Sequence, residues 1–219
     1  MAAVSRPLNF DPLARPYRWL EYLTFGRTLE RCRFYFLPEL IHARRALVLG
    51  DGDGRFVARL LESNHAIKAD IVDVSPAMLA VLKKRLQPEM RSRVTLHQAD
   101  TREFTPPAAG YDLVVTHFFL DCLFEAELTA LIDRIRPQLA PGARWIVSEF
   151  ARPQKGLSAL AGDIVVSGLY LTFGILTGLP VRSLPDHETA LKRAGFDCRE
   201  EHPWLRGLLI SQLWEDSRN

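Results

Sequence analysis

A glycine-rich turn constrains the fold of this chain more than any other stretch of the sequence. The apolar run Arg45–Leu49 is too short for a helix and leads into glycines at positions 50, 52 and 54, after which a helical pattern begins. A buried parallel strand that turns sharply into a helix has this pattern. We expect Gly50 to allow the turn, Gly52 to let a ligand approach the backbone, and Gly54 to let the helix pack closely. The turn therefore predicts a nucleotide-type cofactor site at the end of the first strand.

The residues that follow narrow the choice of cofactor. A dinucleotide fingerprint has its third glycine three residues after the second, and Arg55 occupies that position here. Asp73 ends a second strand-like run, where a carboxylate can bind a ribose diol in nicotinamide and S-adenosylmethionine folds alike. Asp100 follows a third such run, where a carboxylate can accept a hydrogen bond from an adenine amino group. Both acids could be plain loop residues, but their joint position favours contact with a cofactor.

Four motifs resemble, in order and spacing, those of the class I S-adenosylmethionine-dependent methyltransferases. They are Gly50-Asp51-Gly52-Asp53-Gly54, Asp73-Val74-Ser75-Pro76-Ala77-Met78-Leu79, Ala99-Asp100 and Leu139-Ala140-Pro141-Gly142. The resemblance implies S-adenosyl-L-methionine as cofactor and S-adenosyl-L-homocysteine as product. It also implies an α/β fold, namely a Rossmann-like doubly wound sheet of seven strands. The implied strand order is 3-2-1-4-5-7-6, with the last strand antiparallel.

The resemblance also assigns residues to the cofactor. The family often has an acidic residue two positions before the first glycine, where this chain has Val48. Asp51, Asp53 or water then has to hold the methionine ammonium group. Residues 10–17, with Phe25-Gly26, resemble the N-terminal segment of ubiquinone/menaquinone-type methyltransferases, which closes over the cofactor. The predicted cofactor-binding residues are Tyr17, Gly50, Asp51, Gly52, Gly54, Asp73, Val74, Met78, Asp100, Thr101 and Thr116.

The acceptor is expected beyond the ends of strands one and four, where open α/β sheets bind ligands. Residues 116–121, Thr-His-Phe-Phe-Leu-Asp, end the fourth strand-like run. They lack the Asn/Asp/Ser-Pro-Pro-aromatic tetrad with which nucleobase amino-methyltransferases hold their target nitrogen. His117 is the candidate general base, with a histidine merely hydrogen-bonded at the cleft rim as an equal alternative. Phe25 and Phe118 are predicted to contact the acceptor, and Asp121 to be the N-cap of the next helix.

The whole chain is predicted to be one domain, since 47% hydrophobic and 25% charged residues suit a single core. Residues 1–44 are expected to form a helical cap and residues 45–150 the cofactor-binding core. Residues 183–219 are expected to form a helix, at 183–195, and a β-hairpin. Within the core, residues 55–63 are expected to form a first crossover helix, and Ser75 and Pro76 have the pattern of the N-cap and first residue of a second.

An uncharged segment lies between the core and the C-terminal helix. Residues 164–181 contain no Asp, Glu, Lys or Arg, yet glycines, Pro180 and hydroxyl residues argue against a membrane span. Small and polar residues recur there at spacings of three and four, which gives one polar helix face. We expect residues 156–182 to form a lid and Tyr170 to contact the acceptor. A plain core helix, a dimer contact and a peripheral membrane contact through residues 164–181 are the alternatives.

Charge and cysteine usage limit the partners. A net charge of +2 is too small to indicate a nucleic-acid partner, and the arginines among the first 45 residues are interpreted as a solvated helix face. Cys32, Cys122 and Cys198 are widely spaced, so neither a disulfide framework nor a metal site is predicted. A reducing cytoplasm is the simplest location, and the first 14 residues lack the apolar run of a secretory signal.

Together these patterns predict an S-adenosylmethionine-dependent methyltransferase that moves a methyl group to a small, apolar or aromatic acceptor by in-line displacement. An NAD(P)-dependent oxidoreductase is an alternative, disfavoured by Arg55 and by the tight glycine spacing. A catalytically silent S-adenosylmethionine-binding or scaffold subunit is a second alternative, because no obligatory catalytic residue is visible.

Overall fold

One seven-stranded sheet organises the protein, for which a computed structural model describes residues 27–151 and 185–218. The strands are β1 Arg45–Leu49, β2 Lys68–Asp73, β3 Val94–Gln98, β4 Tyr111–His117, β5 Leu139–Phe150, β6 Phe196–Trp204 and β7 Leu209–Asp216. Their order across the sheet is β3-β2-β1-β4-β5-β7-β6. The last strand, β7, runs antiparallel to both of its neighbours, and the remaining neighbours pair in parallel. The predicted strand order and the antiparallel last strand are confirmed.

Helices cover both faces of this sheet. They are α1 Thr28–Phe34, α2 Arg55–Ser63, α3 Pro76–Arg85, α4 Pro88–Arg91, α5 Glu125–Ile135 and α6 His187–Arg193. Single 3₁₀ turns lie at Leu37–Leu40, Leu120–Cys122, Arg136–Gln138 and Leu205–Gly207. Strand–helix–strand units from β1 to β3 and from β4 to β5, all with parallel pairing, place the carboxyl ends of these strands at one edge.

Alternate residues of the central strands supply two separate cores. Leu47 of β1 and Val114 of β4 pack with α5 and α6 on one face. Val48 and Val115, one position further along each strand, pack with α2 and α3 on the other. All four side chains are buried, as expected for parallel strands covered on both faces. Burial of each stabilises the fold by about 1.5–3 kcal/mol.

Local signals for helix starts were correct in one case and wrong in two. Ser75 caps α3, because its Oγ accepts a hydrogen bond from the Met78 N–H at 3.2 Å. The helix expected within 183–195 begins later, after Asp186, whose carboxylate accepts from the N–H of Thr189. Asp121 is not the N-cap of α5: that position is Phe124, and Asp121 is buried in the 3₁₀ turn before it.

Several predictions fall on residues 1–26 and 152–184, which lie outside the described residues. They are the N-terminal segment with Tyr17 and Phe25, the lid at 156–182 with Tyr170, and the uncharged run at 164–181. Within residues 27–151 and 185–218, no helix has the length and hydropathy that crossing a bilayer requires.

Candidate active site

The glycine turn between β1 and α2 has the open backbone that a ligand needs. All three glycines have positive φ, at 65° for Gly50, 63° for Gly52 and 77° for Gly54. A Cβ atom on Gly54 would lie 2.5 Å from Cγ of Leu82, so this glycine allows the turn to pack against α3. A Cβ atom on Gly52 would meet nothing within 4 Å among the described residues. Gly54 is thus required by close packing, and the backbone at Gly52 borders space that residues 27–151 and 185–218 leave open.

Asp53 fastens this turn to α3. Its Oδ1 accepts a hydrogen bond from Nε of Arg55 at 2.9 Å, and its Oδ2 accepts from Nη2 of Arg85, also at 2.9 Å. Nε of Arg85 additionally donates to the backbone carbonyl of Asp53 at 2.8 Å. Because guanidinium groups donate to both of its carboxylate oxygens, Asp53 has a structural role in the fold. Of the two acids that the sequence left open for a methionine ammonium group, Asp51 is the one the geometry favours.

Asp51 sits where the first turn of α2 begins. Its Oδ2 accepts a hydrogen bond from the backbone N–H of Val57 at 3.2 Å. Burial raises the pKa of Asp51 to about 7, although that N–H and the charge of Arg33 act in the opposite direction. A carboxyl group in this condition gains a proton easily in the absence of a cation. A bound cation would favour its ionised form.

Asp73 ends β2 and Asp100 follows β3 at the same edge of the sheet. Oδ1 of Asp73 accepts from the N–H of Ser75 at 2.8 Å, which shapes the β2–α3 turn. Arg102 forms a bidentate ion pair with Asp100: its Nε lies 2.9 Å from Oδ1 and its Nη2 lies 2.5 Å from Oδ2. These bonds hold the pKa of Asp100 below its usual value. An adenine amino group would therefore share this carboxylate with Arg102, a partner that the sequence analysis did not include.

The other predicted cofactor residues differ in exposure. Val74 is half-buried, whereas Met78 and Thr101 are buried. Thr116 is completely buried, and its Oγ1 accepts a hydrogen bond from Nε1 of Trp145 at 3.0 Å. Its side chain supports the core on the α5 face, and its predicted role as a cofactor-binding residue stays a prediction.

His117, the candidate base, ends β4 with a buried ring. The ring is 4% exposed and meets the ring of Phe56 edge-on, with centroids 4.5 Å apart. Neither ring nitrogen has a hydrogen-bond partner among the described residues. Burial, assisted by the charge of Arg33, lowers the pKa of His117 well below its ordinary value, so the imidazole is neutral at pH 7. A neutral ring retains the lone pair that a general base requires.

Arg33 is a residue of the site that the sequence analysis missed. The arginines of the N-terminal region were interpreted as a solvated face, which is wrong for Arg33, since it is only 7% exposed. Its guanidinium carbon lies 5.1 Å from the centroid of the Phe118 ring, and that ring lies 5.2 Å from the ring of Phe150. A usable signal existed, because Arg33 is four residues after the buried Leu29 and so shares the apolar face of α1.

Glu149 is a second residue that was missed. It is 1% exposed at the end of β5, and its Oε1 accepts hydrogen bonds from the N–H groups of Phe119 at 3.0 Å and Leu120 at 2.8 Å. Burial and the neighbouring Asp121 raise the pKa of Glu149 well above its ordinary value. Within the part of the chain that the structure describes, no cluster of His, Cys, Asp and Glu is arranged to hold a metal ion.

Comparisons with known proteins agree with this architecture. Residues 47–145 match a family model described as a methyltransferase domain. The chain is 30% identical over 112 residues to polyamine aminopropyltransferase 2 of Bacillus cereus, covering 44% of this chain and 30% of that protein. It is 30% identical over 156 residues to alpha N-terminal protein methyltransferase 1 of Drosophila melanogaster, covering 70% of this chain and 51% of that protein. The chain therefore spans about half or less of the length of these curated relatives.

A solved structure resembles the chain over most of both lengths. It is N-methyltransferase NodS of Bradyrhizobium japonicum in complex with S-adenosyl-L-homocysteine, with a TM-score of 0.61, 17% identity, and coverage of 87% of this chain and 88% of that chain. Residues 47–145 thus match a methyltransferase domain, and the described residues share the fold of this solved methyltransferase. The fold that the motifs implied is confirmed, and the match over residues 47–145 agrees with the family that they resemble.

Proposed function

We propose that this protein is an S-adenosylmethionine-dependent methyltransferase whose acceptor is a small, apolar or aromatic molecule. The observation that carries the proposal is the glycine turn with its open backbone at Gly52, placed within a matching methyltransferase domain. This chain spans only part of the length of the curated relatives named above, so their activities support this function without defining it.

The described residues fit the cofactor. Gly52 leaves room at the turn, and Asp51 offers an oxygen to a cationic amino group at the start of α2. Arg33 is buried, and its positive charge acts on Asp51. The same guanidinium group can pair with an anionic carboxylate group of a ligand. Asp73 ends β2 where a ribose diol is expected, and Asp100 with Arg102 follows β3 where adenine is expected.

Bound S-adenosylmethionine supplies a methyl group that its sulfonium sulfur has already activated. The protein then has to align the acceptor with that group and exclude water, and such positioning can contribute about 7–11 kcal/mol. The neutral His117 can take a proton from an acceptor that is protonated near pH 7. An acceptor that is already unprotonated needs no such step.

The surroundings of β4 and β5 favour an apolar or aromatic acceptor. Phe118 and Phe150 are partly exposed beyond the strand ends and pack against the small core of Leu29, Cys32 and Leu209. Flat apolar rings in this position suit an acceptor that is itself flat or apolar. We further propose that residues 156–182 act as a lid over this region, and that the protein works in the cytoplasm, as its widely spaced cysteines suggest.

Calorimetry and a turnover assay test the proposal. S-adenosylmethionine and S-adenosylhomocysteine should bind, whereas NADH should not. Asp73→Ala should weaken the binding of both sulfur ligands by at least about tenfold, or about 1.4 kcal/mol. The matched control is Asp133→Ala on the exposed side of α5, which should change nothing. NADH binding without binding of either sulfur ligand would identify an oxidoreductase instead.

Turnover over a panel of phenols, quinols and amines then separates the remaining functions. Methyl transfer to a panel member supports the proposal, and binding without any turnover favours a silent cofactor-binding subunit. Aminopropyl transfer is a second candidate, because the Bacillus cereus relative is named for it. The product mass, measured with S-adenosylmethionine and with its decarboxylated form as donor, distinguishes an added methyl group from an added aminopropyl group.

A further inference from the structure

We propose that Glu149 is a positioning residue for methyl transfer. Its buried carboxyl group holds the turn after β4, which carries Phe118 and Phe119 beside the cofactor loop, that is, the glycine turn at residues 50–54. This inference rests on the proposed function and assigns Glu149 a role in that same site. The residue makes no contact with a reacting atom in this inference: it acts through the backbone of the turn.

The contact itself is specific. Oε1 of Glu149 accepts two backbone hydrogen bonds at once, from the N–H of Phe119 at 3.0 Å and from the N–H of Leu120 at 2.8 Å. These amides follow the last residue of β4, where the strand stops pairing and the 3₁₀ turn Leu120–Cys122 begins. A buried N–H without a partner costs about 1–3 kcal/mol, so an apolar residue at position 149 would leave the turn without its main support.

The turn needs this support, because its backbone is unusual. Phe118 has φ at +53°, in the left-handed region that residues other than glycine rarely occupy. One further hydrogen bond, from the Phe118 N–H to the Ser148 carbonyl at 2.7 Å, ties the start of the turn to β5. The bonds to Ser148 and Glu149 therefore fix the same short segment from two adjacent positions of β5.

The turn after β4 also packs against the cofactor loop. A Cβ atom on Gly50 would lie only 2.5 Å from Cδ2 of Phe119, so this ring packs directly over the first glycine of the loop. On the other side of the turn, Phe118 lies beneath Arg33 and beside Phe150. The two rings held by Glu149 thus face the cofactor loop and the region proposed for the acceptor. A displacement of the turn would change the alignment between them.

Two substitutions at position 149 separate positioning from chemistry. Glu149→Met fills a similar volume but accepts no hydrogen bond from either amide. Glu149→Gln keeps a carbonyl oxygen that can accept both. The matched control is Asn64→Leu: Asn64 is also buried, and its Oδ1 accepts from the N–H groups of Ala66 and Ile67, but it lies before β2, at the opposite edge of the sheet.

Three measurements are made on the full chain: hydrogen exchange of the Phe119 and Leu120 amides, S-adenosylhomocysteine affinity, and kcat/KM with an acceptor found in the panel. For Glu149→Met, we expect both amides to lose protection and kcat/KM to fall about 100-fold, the loss that a misplacement of about 1 Å can cause. The Kd for S-adenosylhomocysteine should change less than about fivefold. Glu149→Gln should keep kcat/KM within about tenfold of wild type, since its amide oxygen can accept both hydrogen bonds.

The outcomes are distinct. Unchanged exchange or unchanged kcat/KM in Glu149→Met would overturn the proposal, and so would an equal loss in Glu149→Gln with the turn intact, because the carboxyl group would then act chemically. If Asn64→Leu lowered kcat/KM as much, general destabilisation would explain the result. If Glu149→Met does not fold, Glu149→Gln decides: protected amides with near-normal turnover support positioning. Failure of wild type to bind S-adenosylhomocysteine would refute the proposed function, while the exchange data would still report on the contact.

Discussion

The affinity for S-adenosylmethionine should rise with pH, because of Asp51. The carboxyl group of Asp51 has a pKa of about 7 in the protein without ligand, caused mainly by burial. A ligand ammonium group beside it favours the ionised form and lowers this pKa on binding. Binding therefore releases a proton wherever Asp51 is protonated beforehand, and the affinity increases as the pH rises through 7.

The magnitude follows from the titration of a single group. With a pKa of about 7, Asp51 is ionised in about one-eleventh of molecules at pH 6 and about ten-elevenths at pH 8. The apparent affinity should thus increase about tenfold between these pH values, or about 1.4 kcal/mol. Three other groups of the site keep the same charge in this range. The guanidinium groups of Arg33 and Arg55 stay charged, and His117 stays neutral, because burial lowers its pKa.

Isothermal titration calorimetry at constant ionic strength checks this expectation. Titrations at pH 6, 7 and 8, in two buffers with different heats of ionisation, give both the affinity and the number of protons released. Asp51→Asn should bind more weakly at pH 8 and should remove the pH dependence. An affinity that is equal at pH 6 and 8, or a slope that persists in Asp51→Asn, would refute the assignment of Asp51 to the ammonium group.

Three further expectations concern stability and turnover. Gly54→Ala should lower the melting temperature more than Gly52→Ala: both bear the left-handed penalty of about 1–2 kcal/mol, but only Gly54 would also clash with Leu82. Equal losses in thermal denaturation would contradict this packing. Ser75→Ala should cost about 1 kcal/mol in urea unfolding by removing the cap of α3, and an unchanged midpoint would show that the cap contributes nothing. His117→Gln should bind S-adenosylhomocysteine normally yet lose turnover of phenols, and full turnover would exclude a base at this position.

Local sequence signals predicted the cofactor half of the molecule well. The helix α2 was expected at Arg55–Ser63 and occupies those residues, and Ser75 with Pro76 starts α3 as expected. These features depend on neighbours within about four positions, namely glycine spacing, apolar period and capping residues. The strand order came from the family resemblance and is also confirmed.

The parts that were missed depend on contacts between distant segments. Arg33 is buried against Phe118, and Glu149 holds a turn thirty and twenty-nine residues earlier. Thr116, which was predicted to bind the cofactor, also has a distant partner, because its Oγ1 accepts a hydrogen bond from Nε1 of Trp145. Strand periodicity can give the face of a residue but cannot show which partner lies there.

The bond network of Asp53 has a consequence for protein engineering. The shape of the glycine turn depends on Arg85, which lies thirty-two positions further along the chain at the end of α3. A graft of positions 45–63 into another scaffold would lack this guanidinium group and would leave a buried carboxylate short of one partner. The glycine turn therefore cannot be transferred alone with its shape intact. Recombination with related enzymes should keep the first two strand–helix units together.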